Sequence, residues 1–462
     1  MDKPLKLAIC SWCYGIGGGA ARMEAYYHRF YNRELIEPHI IGLVSRPSSG
    51  PEYDSSLPFI QLDQSRRFEH LVALLQNFDV IQFQGSFDPL VCEASKFVKR
   101  PHVLLEVLHN IEQGGMYEEI DGIIGVSEAV RKVQLPDRNY RTILNGIDLD
   151  LFPFSDKEKS NDKIILLQVA RRSKMAINLD ELAEDLAAIH PAIELWIAGD
   201  WIGQSTERVK FLGIRQDIAD LYRLAHFTVL LSKEEPFGLA AVESMAVGTP
   251  VILSNSGGFV DIVSDPSQGF LVDGPDRQQA LAAISQAIAC VGTDKYRQIV
   301  DAGRKRVEER FGIRHCVTQY EDFILELYAA KGNSSPEIPG PLKVPAAALV
   351  GEALYDLHAN DLPMMATRLK ALSCSDEALR PERILIQAHQ LGAYLKRHRP
   401  DLLPRELGLY LYCCGDRIED TLEGMIDDLD LVREKGLYEH FYNYLCQTKD
   451  QFPQRWKRLN AV

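Results

Sequence analysis

No uncharged apolar run in this chain of 462 residues approaches the roughly 18 that a membrane span requires. No signal-peptide hydrophobic region appears either. The opening Met1-Asp2-Lys3-Pro4 runs at once into a strand-like Leu5–Cys10, so a cytoplasmic location is expected. Positive charge is in short supply: 51 Lys and Arg face 65 Asp and Glu, a net charge of -14. That balance offers a phosphate backbone little attraction, and nucleic acid is not an expected partner. The missing polybasic segment also weighs mildly against docking on an anionic membrane. Cysteine is sparse, at nine residues without a repeating interval. Cys10 and Cys13 form a lone Cys-x-x-Cys, and Cys413 and Cys414 are adjacent, a poor chelating geometry. The thiols are therefore read as reduced packing residues, and no metal site is expected. Low-complexity tracts are absent. With 46% hydrophobic and 25% charged residues, the composition excludes disordered, collagen-like and disulfide-scaffold chains.

What is present divides into zones. From Leu5 to about Phe154, short apolar runs alternate with helical stretches, at Leu5–Cys10, His39–Val44, Asp79–Phe83, His102–Leu105 and Gly122–Val126. The alternation restarts at Ile164–Val169, Glu194–Ala198, Val209–Leu212, Phe227–Leu231, Val251–Leu253 and Phe270–Val272. Two successive strand–helix series with strands apolar on both faces predict two parallel α/β domains. A ligand is expected in a cleft facing the carboxyl ends of their strands. The predicted organisation is an N-terminal domain over 1–154, a second over 155–331, a Pro- and Gly-rich linker over 332–345 and a helical extension over 346–462. In that extension Asp416, Glu419, Asp420 and Glu423 share one helical face, opposite Ile418, Leu422 and Ile426.

Two passages carry candidate chemistry. Gly15-Ile16-Gly17-Gly18-Gly19-Ala20 follows the first strand and opens a helix. Bare backbone there approaches a phosphate closely, and a helix N-terminus favours negative charge. The same residues satisfy G-x-G-x-x-A, a dinucleotide fingerprint. However, the second strand ends in Ser45-Arg46 rather than an acid, so an NAD reading lacks its ribose anchor. A structural turn remains an alternative. The second passage is Glu235-Pro236-Phe237-Gly238-Leu239, followed by Glu243. Pro236 suits a helix start, which would leave the amides of Phe237, Gly238 and Leu239 as unpaired first-turn donors. Glu235 and Glu243 then suit two hydroxylated parts of one ligand. Equally, Glu235 complements the helix dipole and Glu243 is solvated. Spacing alone leaves these readings even.

Glu-x7-Glu in the setting Glu235-Pro-Phe-Gly-Leu…Glu243-Ser-Met-Ala-Val-Gly-Thr-Pro resembles the signature of retaining glycosyltransferases of family 4, which have the GT-B fold. The likeness runs through Ser256-Gly257-Gly258-Phe259 and Gly269-Phe270-Leu271-Val272. Upstream it takes in Gly125-Val126-Ser127-Glu128, Asn145-Gly146-Ile147-Asp148 and Val209–Gly213, and it covers about residues 5–330. The resemblance implies two Rossmann-like domains facing a cleft. It implies that Gly18 and Gly19 cover the donor phosphates and that His109 stands beside the transferred sugar. Glu235 would contact that sugar, Phe237, Gly238 and Leu239 would offer amides to it and the diphosphate, and Glu243 would bind ribose hydroxyls. Arg171 and Lys174 would neutralise the departing diphosphate in place of a metal ion. Here Val169-Ala170-Arg171-Arg172-Ser173-Lys174 is tighter than the family pattern, with alanine for glycine, so either the loop is shortened by about two residues or Arg172 takes one role.

The function implied is metal-independent, retaining transfer of a sugar from a nucleotide donor to an acceptor the sequence does not identify. UDP-sugar is the expected donor because it is the commonest in that family, and no cofactor is expected. A GT-B phosphorylase or epimerase is the alternative enzyme, and a non-catalytic GT-B scaffold the alternative of another class. Asp148-Leu149-Asp150 and Asp428-Leu429-Asp430 spell a manganese motif but are read as a cap or linker and as solvated surface. The extension over 346–462 carries no recognisable chemistry and is assigned to oligomerisation, acceptor recognition or partner binding.

Overall fold

The computed structural model describes residues 3–12, 14, 18–44, 58–85, 88–111, 114–115, 117–156, 159, 162–170, 176–199, 203–273 and 276–332, with isolated positions up to 352. Strands β1 (Leu5–Ser11), β2 (Ile36–Gly42), β3 (Phe59–Gln61), β4 (Val80–Gln84), β5 (Val103–Leu108), β6 (Gly122–Gly125) and β7 (Tyr140–Thr142) form one sheet. Its order is β3-β2-β1-β4-β5-β6-β7, and every pairing is parallel. A second sheet contains β8 (Ile164–Val169), β9 (Ala176–Ile177), β10 (Ile193–Ala198), β11 (Val209–Gly213), β12 (Phe227–Ser232), β13 (Val251–Ser254) and β14 (Phe270–Val272). Its order is β11-β10-β8-β12-β13-β14, parallel throughout, with β9 antiparallel to the end of β12. The central strands are buried on both faces, which is why they read as continuous apolar runs such as Val103-Leu104-Leu105 and Val229-Leu230-Leu231.

The helices are α1 (Gly19–Phe30), α2 (Arg67–Leu75), α3 (Pro89–Ser95) and α4 (Glu128–Arg131) in the first half. The second half supplies α5 (Ala183–Ile189), α6 (Ile218–Leu224), α7 (Leu239–Ala246), α8 (Phe259–Ile262), α9 (Arg277–Ile288), α10 (Asp294–Arg310) and α11 (Ile313–Lys331). Several starts carry side-chain caps: Asp88 accepts from Val91 N, Ser127 from Val130 N, Asp276 from Gln278 N and Thr293 from Tyr296 N. Among the described residues no helix is long and apolar enough to cross a membrane.

Each sheet reverses its winding once. In the first, β1 lies between β2 and β4; in the second, β8 lies between β10 and β12. Loops leaving the two strands at such a reversal diverge, and the crevice between them is where an open α/β sheet binds ligands. The strands concerned end at Ser11, Gln84, Val169 and Ser232. In the chain, the glycine-rich run, residues 171–174 and Glu235 each follow one of these four ends.

The chain crosses between the sheets near Ile147, which forms a parallel bridge with Gly312. Helix α11 then packs in the core of the first half, where Tyr27 OH donates to Tyr320 OH at 2.7 Å and Lys331 pairs with Asp121. Beyond it, Ala348 joins the apolar core with Val344 packed against that core, and the chain returns to the first half at Glu352. Glu352 is buried there: Phe68 N, at the start of α2, donates to its Oε1 at 2.9 Å, and Arg67 Nη1 donates to its main-chain oxygen at 3.0 Å. Most of the predicted linker and extension lies outside the described residues.

Candidate active site

The second sheet contributes a corner. β12 ends at Ser232, and α7 begins only at Leu239, three residues after the proline that suggested a helix start. The delay has a local cause: Gly238 takes a left-handed conformation, φ 107°, which an α-helix does not accommodate. Residues 235–238 thus form a loop, pinned by the buried Phe237 ring against Phe311 at 5.8 Å between centroids. The loop containing Gly257 and Gly258 presses on it from outside. Gly258 N donates to Glu235 O at 2.7 Å. A Cβ on Gly257 would lie 2.2 Å from Glu235 O, and one on Gly258 2.5 Å from Phe237 Cα. This glycine pair is a packing requirement of the corner.

Burial pushes the Glu235 carboxyl up to about 7, with the Phe237 amide opposing it. Glu243, one turn inside α7, is buried rather than solvated. Its Oε2 accepts from the Tyr222 hydroxyl at 2.9 Å, and its Oε1 pairs with Arg22 Nη1 of the first half. Burial raises this carboxyl too, against the lowering influence of Arg22 and Tyr222. Helix α7 is itself fixed from below: the Ser244 hydroxyl bridges Thr228 Oγ1 and Thr249 O at 2.7 and 2.9 Å.

The first sheet contributes the opposing wall. Gly18, φ 104°, precedes α1, and Gly19 begins it. A Cβ on Gly19 would stand 3.4 Å from Leu239 Cδ1, so the start of α1 meets the first residue of α7. Three residues on, Arg22 reaches Glu243. His109 follows β5, and its Nε2 is 2.6 Å from Gln84 Oε1 at the end of β4. Burial pushes its pKa down to about 4, so the ring is neutral near pH 7. With the proton on Nε2 donated to Gln84, Nδ1 is left as the acceptor.

Of the residues singled out by sequence, Gly19, Leu239 and Glu243 meet the opposite half at this seam, Gly18 precedes α1, and Glu235, Phe237 and Gly238 form the corner that leads into α7. His109 stands on the first-sheet side with Gln84. Arg171, Arg172 and Lys174 lie outside the described residues, as does Cys13; the three cations follow directly on β8 in the chain. Asp148 Oδ1 accepts from Asp150 N at 3.1 Å, the local turn expected of a cap. Arg22, Tyr222 and Gln84 were not picked out from sequence. Arg22 had a readable signal, being the cation in the first turn after the glycine loop. Tyr222 and Gln84 reach their partners only through tertiary packing.

A family model described as Glycosyl transferases group 1 matches residues 152–306. A probable transglycosylase of Burkholderia thailandensis is 35% identical over 131 residues, 28% of this chain and 33% of the relative. A D-inositol 3-phosphate glycosyltransferase of Geodermatophilus obscurus is 30% identical over 241 residues, 45% of this chain and 52% of the relative. The N-acetyl-alpha-D-glucosaminyl L-malate synthase of Bacillus anthracis is 25% identical over 239 residues, 46% and 61% respectively. The chain thus spans from a third to three-fifths of the length of these curated relatives. Among solved structures, Anabaena HepE in complex with UDP superposes with a TM-score of 0.59 at 19% identity, covering 70% of this chain and 100% of that one. Sucrose-phosphate synthase from Thermosynechococcus elongatus gives 0.56 at 20% identity, covering 71% and 100%. The architecture is that of GT-B glycosyltransferases: two Rossmann-like parallel-sheet domains.

Proposed function

We propose that this protein is a retaining glycosyltransferase of the family 4 type, moving a sugar from a nucleotide donor, UDP-sugar, to an acceptor. The carrying observation is the seam itself: Gly19 of one domain lies against Leu239 of the other, with Glu235 and Glu243 on either side of that helix start. Bare backbone, a helix N-terminus and two carboxylates suit a diphosphate flanked by two polyhydroxylated groups. The UDP in the Anabaena structure supports a uridine donor. Glu235, on the corner, faces the transferred sugar, where positive charge develops as the glycosidic bond breaks. Glu243 accepts from the ribose hydroxyls. Arg171 and Lys174 take the charge of the departing diphosphate, a role in which a cation at ~4 Å is worth about 4 kcal/mol at an effective dielectric near 20. Neutral His109 accepts a hydrogen bond from a sugar hydroxyl through Nδ1.

A thermal-shift panel of nucleoside diphosphates and nucleotide sugars tests the reading. A ligand at about 100 times its dissociation constant adds about 2.7 kcal/mol, so UDP and a UDP-sugar raise the melting temperature. Absence of a shift with every nucleotide refutes it. Anomeric configuration in the product, followed by proton NMR, tests retention, and transfer in EDTA tests metal independence.

A further inference from the structure

Glu243 has a charged partner from the opposite domain. Arg22 Nη1 of α1 meets its Oε1, although 221 residues separate them in the chain. Its other oxygen accepts from Tyr222 OH at 2.9 Å, and Tyr222 is fully buried. The Glu243 side chain is 4% exposed and that of Arg22 30%. Both carboxylate oxygens are therefore engaged in this state. Ribose hydroxyls reach the carboxylate by displacing one donor. Tyr222 is anchored in the same domain as Glu243, whereas Arg22 is partly exposed and belongs to the other wall, so exchange falls on Arg22.

Arg22 also stands beside the helix start that the proposed function assigns to the donor diphosphate. It lies in the first turn of α1, three residues beyond Gly19, whose position abuts the start of α7. A buried carboxylate left uncompensated is costly, and so is a guanidinium removed from one anion without gaining another. We propose that Arg22 is an exchangeable donor-binding residue: it holds Glu243 when the cleft is empty and transfers to the diphosphate when ribose takes its place. Both charges stay compensated in both states, and ribose recognition in one domain is coupled to phosphate recognition from the other. This rests on the assignment of Glu243 to the ribose.

Calorimetric titration of uridine and of UDP into the full chain tests the exchange, with wild type, Arg22→Met, Arg22→Gln and Glu243→Gln compared. Arg22→Met removes a competitor, so uridine binds ~3–10-fold tighter. It also removes a charged phosphate contact, so the ratio of UDP to uridine affinity falls ~10-fold or more. Arg22→Gln keeps a hydrogen-bond donor for Glu243 but no charge, and lowers the same ratio; it serves if the methionine variant does not fold. A ratio unchanged from wild type in the folded variants overturns the exchange. Equal weakening of both ligands, with a lower melting temperature, also overturns it, because Arg22 then only holds the seam together. Failure of wild type to bind UDP sinks the nucleotide-sugar reading itself. Uridine binding undiminished in Glu243→Gln removes the ribose assignment, a result distinct from failure at Arg22.

Discussion

Glu235→Gln should make the protein more stable and less active, and the stability gain should depend on pH. The carboxyl rises from 4.5 to about 7 because it is buried at the corner. Its folded-state proton is therefore held more tightly than in the unfolded chain. Wild-type stability falls as pH rises from about 4.5 to about 7 and levels off above that window. At about 1.36 kcal/mol per unit the loss is ~3 kcal/mol, and ~2–3 kcal/mol after allowing for partial exposure. Glutamine has nearly the same shape, still accepts from the Phe237 amide and carries no charge. Melting curves of the two proteins should coincide near pH 4.5 and separate as pH rises, with the variant more stable at pH 8. In turnover, kcat should fall on the order of 10²–10³-fold, as for other electrostatic stabilisers. Wild-type kcat/KM should rise with pH through about 7, and neutral His109 contributes no limb there. A stability gap that does not change between pH 5 and pH 8 refutes the argument, since burial of charge is its sole source.

Glu243→Ala should raise the donor KM ~10–100-fold with kcat little changed, because ribose contacts are alike in ground and transition states; a fall in kcat at unchanged KM contradicts that role. Gly257→Ala and Gly213→Ala share a positive φ, +56° and +65°, but only the former would place a Cβ against Glu235 O, at 2.2 Å. The excess melting loss of Gly257→Ala over Gly213→Ala isolates the close approach, and equal losses would show that backbone conformation alone matters. Glu352→Ala removes the carboxylate that accepts from Phe68 N at the start of α2. It should cost ~1–2 kcal/mol and speed proteolysis around residue 345; unaltered melting and cleavage would mean the segment adds nothing to the first domain.

Much of the architecture was legible because central parallel strands are buried on both faces and so read as apolar runs. Ile164–Val169 and Phe270–Val272 coincide with β8 and β14. The three strands not anticipated, β3, β7 and β9, are two or three residues long and only partly buried, so they carry no such run. β2 starts at Ile36 rather than His39, despite Pro38. Its pairing with β3 begins only at Ile40, so Pro38 sits where β2 is still an edge and no donor is missed. At the site, the glycines and glutamates were visible as local motifs. The burial of Glu243 was not, because it depends on Arg22 and Tyr222, 221 and 21 residues away.

The contacts between the domains differ in kind along their length, and that difference bears on how the cleft works. Near the crossing they are main-chain bonds: Ile147 N donates to Phe311 O at 2.8 Å and Ile313 N donates to Ile147 O at 2.8 Å. At the cleft the link is an ion pair with a partly exposed arginine. Ile147, Phe311 and Ile313 are buried, so opening there wets apolar surface while the main-chain bonds gain nothing by exchange for bonds to water. An ion pair at an accessible edge has substitutes in water and in ligand, and its net worth is correspondingly small. Rotation of the domains should therefore pivot near Ile147 and Gly312 and part at Arg22 and Glu243, where a ligand offers each of those charges a new partner.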